Sequence, residues 1–92
     1  MYDVTLCGFK ELETREFFTI GTLASGCCKS DATEFAASVA EQVHPVAWVL
    51  TRAHDCDGIS VDITNGHGTT VTSYELDPYR PLVVYHGDEC HS

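Results

Sequence analysis

The sequence predicts an α+β fold: a two-layer sandwich of one amphipathic helix packed on an antiparallel sheet, in the order β-β-α-β-β-β. Three observations predict it. The segment "SDATEFAASVAEQV" (30–43) carries apolar residues at helical spacing. Most other apolar segments alternate with a period of two. Asp-Gly, Asn-Gly and Pro punctuate the chain between those segments, where turns are needed.

The first strand is "YDVTLCGF" (2–9), with Tyr2, Val4 and Leu6 on one face and Asp3, Thr5 and Cys7 on the other. "KELET" is polar and turn-like. "REFFTIGTL" follows, with Phe18, Ile20 and Thr22 sharing a face, and the two runs read as a hairpin. In the helix, Ala32, Phe35, Ala36, Val39, Ala40 and Val43 form one continuous stripe. Ser30 or Asp31 can cap its start, with Glu34 completing an arrangement like a capping box. Pro45 marks its end by biasing His44 away from helical angles.

"VAWVLTR" (46–52) is short, β-branched and aromatic, and is expected to be a central strand. "GISVDIT" (58–64) alternates cleanly, "NGHG" turns the chain, and "TTVTSYEL" (69–76) returns. "LVVY" (82–85) adds a last short strand after Pro78 and Pro81, and "HGDECHS" (86–92) is expected to be a loose tail. The 92 residues make one domain, 1–92. The expected core is Leu6, Phe18, Ile20, Phe35, Val39, Val43, Trp48, Leu50, Ile59, Val61 and Ile63.

Charge narrows the function. Fourteen acids face five bases, a net charge of −9. The imbalance is concentrated in residues 30–79, where eight acids face Arg52 alone. Such a field repels nucleic acid and anionic membranes and steers toward basic partners, and it also keeps a small protein dispersed. No apolar run approaches the roughly 20 residues that span a bilayer. The start "MYDVTLCGFK" has an acid at position 3 and no basic region, so no signal peptide is expected and a cytoplasmic location is. The five cysteines, Cys7, Cys27, Cys28, Cys56 and Cys90, are odd in number and lack any CxxC pair, so a disulfide framework is not expected.

"HDCDG" (54–58) concentrates chemistry-bearing residue types. As a turn between neighbouring strands, it needs Asp55, Asp57 and Gly58 for backbone reasons alone. As a nucleophile, Cys56 would need a lowered pKa, and its flanking carboxylates oppose thiolate formation. As a metal site, His54 and Cys56 would join His86, Cys90 and His91, with Cys27 and Cys28 as further candidates. Zinc favours Cys-x(2–4)-Cys or His-x(3–5)-His spacings, and only His86 and Cys90 come near one. "GTLASG" lacks the GK[ST] ending of a phosphate loop. His67 falls at a turn tip. Neither a catalytic residue, a metal nor a cofactor is expected, and no enzyme activity.

In architecture and charge the chain resembles the small acidic phage-encoded anti-CRISPR proteins. The elements that carry the resemblance are "VTLCGF", "EFFTIGTL", "SDATEFAASVAEQV", "AWVLTR", "GISVDIT" and "TTVTSYEL". That family shares no motif, so no functional residues carry over. The resemblance implies non-enzymatic inhibition: binding a CRISPR effector and blocking its nucleic-acid groove, in a bacterial cytoplasm.

The leading expectation is therefore a small acidic protein that occupies the basic surface of a nucleic-acid-handling protein complex, with a CRISPR effector as the candidate. Glu34, Glu41, Asp55, Asp57 and Asp62 are the candidate partner-binding residues, with carboxylates standing in for phosphates. Direct nucleic-acid or membrane binding is not expected. The alternatives are a structural accessory protein that dimerises through edge strands, or a small Cys/His metal-binding module.

Overall fold

The computed structural model describes residues 1–11 and 14–87. The chain forms β1 (Tyr2–Glu11), β2 (Arg15–Cys27), α1 (Lys29–Val43), a 3₁₀ turn (His44–Val46), α2 (Ala47–Ala53), β3 (Gly58–Thr64), β4 (Thr70–Leu76) and β5 (Val83–His86). The five strands make one antiparallel sheet in the order β2-β1-β3-β4-β5. The connection from β2 to β3 passes over β1, and the two helices travel in that crossover. They cover one face of the sheet, the α+β arrangement the sequence predicts.

Alternation builds the covered face. Val4 pairs with Ile63, Leu6 with Val61 and Gly8 with Ile59. Ile59 in turn pairs with Leu76, and Val61 with Tyr74. Partners in register share a face, so these side chains form one apolar sheet surface under the helices. Val4, Ile59, Val61 and Leu76 are fully buried. The helix meets them with Ala32, Ala36 and Ala40, also fully buried, and α2 adds Ala47. Small side chains on the contact line let the helix axis approach the sheet closely. The larger residues of the same stripe therefore lie at its margins. Val39 and Val43 are half-buried against the core, and Phe35 is 39% exposed.

Five expectations need correction. Residues 47–53 are helical. A short apolar run has no period that separates a strand from a helix, and Ala47 and Leu50 sit one turn apart on the face that packs inward. Pro45 ends α1 as expected, but it occupies the first turn of the 3₁₀ segment, where its missing N–H costs nothing. His44 stays helical, and its imidazole Nε2–H donates to the carbonyls of Asp77 (3.2 Å) and Arg80 (2.8 Å). Trp48, expected in the core, lies on the outer side of α2, half exposed, with Arg52 one turn on at 5.7 Å from its ring centroid.

The helix start is also one turn-end earlier than the capping pattern implies. α1 begins at Lys29 with Cys28 in the N-cap position, and neither Ser30 nor Asp31 caps it. Finally, His86 belongs to β5 and the Gly87 N–H donates to the Val71 carbonyl at 2.8 Å, so the expected tail does not start at 86. Residues 88–92, which include Cys90 and His91, lie outside the described residues.

Candidate functional site

Among the described residues, no helix covers the other face of the sheet. Its residues alternate with the core: Thr5, Cys7 and Phe9 on β1, Ser60 and Asp62 on β3, Ser73 and Glu75 on β4, and Tyr85 on β5. β2 brings Arg15 and Phe17, because Phe9 pairs with Phe17 and Glu11 with Arg15. An uncovered antiparallel face normally reads polar throughout. This one buries an aromatic residue: Phe9 is 2% exposed.

Phe9 lies directly opposite Gly58 in the β1–β3 ladder. A Cβ at position 58 would overlap its ring. Above the ring sits the Arg15 guanidinium, 4.6 Å from the centroid, and beside it Phe17 at 5.7 Å between centroids. Arg15 also bridges two carboxylates, Glu11 and the nearly buried Glu75, the latter at 3.1 Å. A cleft of about 320 Å³ opens here, walled by Phe9, Phe17 and Tyr85 and floored by Ser60, Ser73 and Glu75. Ser60 is 1% exposed, and among the described residues its hydroxyl has no hydrogen-bond partner.

A second cleft, about 400 Å³, lies beside the first and shares Phe17 and Ser73 with it. Asp62 and Thr70 complete it. The Ser73 hydroxyl donates to Asp62 at 2.6 Å, which holds the carboxylate in place. Burial, and then the Asp62 charge, push the neighbouring Cys7 thiol above its ordinary pKa.

The "HDCDG" stretch is a helix ending rather than a hairpin. The Cys56 N–H donates to the Thr51 carbonyl and the Asp55 N–H to that of Arg52, with Asp55 at φ 50° in the left-handed region. That is a Schellman motif with Asp in the position glycine prefers. Asp57 then fastens β1: its N–H donates to the Phe9 carbonyl at 2.9 Å, and its carboxylate accepts the Glu11 N–H at 2.6 Å. Lys10, Asp55, Cys56 and Asp57 line a shallow cleft of about 240 Å³. Burial raises the Cys56 pKa, partly opposed by backbone hydrogen bonds at Gly58 and Phe9; Asp57 adds a smaller rise and Lys10 a smaller fall. No activated thiol results. Among the described residues, no three His, Cys, Asp or Glu side chains converge as metal ligands. His54 caps α2 and His86 lies on β5.

The five candidate carboxylates do not share one surface. Glu34 and Glu41 are exposed on α1, the helix layer. Asp62 is half-buried on the open sheet face, outward from the core as strand alternation requires. Asp55 and Asp57 lie in the loop between α2 and β3, and Asp57 is committed to holding β1. Sequence reasoning missed Phe9, Arg15, Phe17, Ser60, Glu75 and Tyr85. A signal was present: Phe9 and Cys7 stand at the outward positions of β1, where polar residues belong. No protein family, curated protein or solved structure matches the chain, and among the described residues no helix is long and apolar enough to cross a membrane.

Proposed function

We propose that the chain is a non-enzymatic binding protein whose open sheet face docks on a basic protein surface of the kind that otherwise holds nucleic acid. Inhibition of a nucleic-acid-handling complex, such as a CRISPR effector, is one form this binding takes. The observation that carries the reading is the pairing of aromatics with hydrogen-bond acceptors on an uncovered face. Phe17 and Tyr85 are 58% and 54% exposed, and they flank Asp62, Ser60 and Glu75. Aromatic side chains anchor interfaces, and carboxylates discriminate for cationic partners. The net charge of −9 supports the same choice of partner. Glu34, Glu41 and Asp55 add to the long-range field that steers encounter, and Asp62 makes contact.

The test is fluorescence anisotropy with a labelled deca-arginine peptide at rising salt. Affinity is expected to fall steeply as salt screens the pairing. A Glu34→Lys, Glu41→Lys variant should slow association with little change in dissociation, whereas Tyr85→Ala should speed dissociation. Absence of binding, or an affinity indifferent to salt, contradicts the proposal. One observation favours a second reading. β5 is an edge strand with Val83, Val84 and Tyr85 all exposed, so two copies could pair edge to edge; sedimentation at several concentrations separates the two.

A further inference from the structure

We propose that the part of the open face between Phe17 and Asp62 is a subsite for an arginine side chain of the basic partner, an inference that rests on the docking reading above. The chain already contains one example of the arrangement. In the first cleft, the Arg15 guanidinium stacks on the Phe9 ring at 4.6 Å and pairs with Glu75 at 3.1 Å. The second cleft repeats the ingredients without the occupant. Phe17 supplies the aromatic wall and Asp62 the carboxylate. Among the described residues, no cation of the chain pairs with Asp62.

Ser60, buried and unpartnered among the described residues, adds a polar group to the neighbouring floor. It lines the adjoining cleft and lies two residues from Asp62 on the same face of β3, roughly 6–7 Å along the strand. A guanidinium carries five N–H donors in a planar fork and stacks well on aromatic rings. One such group on Phe17 meets the Asp62 carboxylate, which neutralises its charge. An ammonium offers no plane to stack and fits less well. The subsite's volume, about 400 Å³, accommodates an arginine side chain. Its neighbour Ser73 already holds Asp62 in position, so little ordering remains to be done on binding.

The experiment is an amide chemical-shift titration of the ¹⁵N-labelled protein with acetyl-Gly-Arg-Gly-amide. The same peptide carrying citrulline, the neutral isostere, and one carrying lysine are the comparisons. The arginine peptide should shift the amides of Phe17, Ser60, Asp62 and Ser73. The citrulline peptide should bind at least about tenfold more weakly, because the charge-assisted bonds are lost, with lysine between the two. Asp62→Asn keeps an oxygen for the Ser73 hydroxyl and so preserves the fold, while Phe17→Ala removes an exposed ring. Each should weaken the arginine peptide about five- to tenfold. Equal binding of arginine and citrulline peptides, shifts confined to α1, or parent-like binding by both variants overturns the subsite. Deca-arginine titrated in parallel separates the two claims. If it still binds in a salt-dependent way while the subsite fails, the docking reading stands alone; if it fails too, both fall.

Discussion

Asp55 and Gly58, three residues apart, show opposite solutions to a backbone demand. Asp55 takes a left-handed conformation that costs a non-glycine residue about 1–2 kcal/mol, partly offset by what glycine would lose in unfolded freedom. Asp55→Gly should therefore raise stability by about 0.5–1 kcal/mol, read as a higher urea midpoint at unchanged m-value. Gly58 is required for a different reason: the Phe9 ring occupies the place of its Cβ. Because Phe9 is buried under Arg15 and Phe17, it has little room to retreat. Gly58→Ala should cost about 1–3 kcal/mol through overpacking, and the same midpoint measurement checks it; an unchanged midpoint would mean that Phe9 does not lie over β3. At Cys7, burial and the Asp62 carboxylate both oppose the thiolate. Alkylation at pH 8 should accordingly label exposed Cys28 well before Cys7, and Asp62→Asn should speed the reaction at Cys7.

The helix contact is made by alanines, and this sets which substitutions hurt. Ala36 is fully buried against the sheet while Phe35 is 39% exposed. Ala36→Leu should destabilise by about 1–3 kcal/mol by forcing α1 off the sheet. Phe35→Ala should cost less, the reverse of what side-chain size alone suggests, and thermal melts of the two variants decide it. The stripe itself was legible in the sequence, as were β1, β3 and the Thr-rich return, β4. Each of those carries a period that only one kind of element satisfies. The segment 47–53 was not legible, because seven residues hold too few repeats to fix a period and its Val and Trp favour strands. Its consequence is measurable: Trp48 on the outside of α2 should be readily quenched by iodide in the folded protein, whereas a Trp in a central strand would be protected.

For the whole molecule, the sequence reports how much charge there is but not where the chain puts it. Glu34 and Glu41 share a helix face, and Asp62 ends on the opposite side of the sandwich. Asp62 alternates with Val61 and Ile63, which the helices cover; that both helices pack on that one face is a long-range fact no local pattern contains. The open face was half legible: alternation turned Asp62 outward, and the same alternation places Phe9 and Ser60 beside it. What made the face a site was the arrival of Arg15 and Phe17 from β2, which depends on the register of a strand pair. The central claim is that this face, rather than the acidic helix, meets the basic partner. It is tested most directly by mapping the amide shift changes of the ¹⁵N-labelled protein on saturation with deca-arginine. Changes are expected to concentrate on Phe9, Phe17, Ser60, Asp62, Ser73, Glu75 and Tyr85, with small, diffuse changes along α1. A map centred on Glu34 and Glu41, with the open face silent, would contradict it.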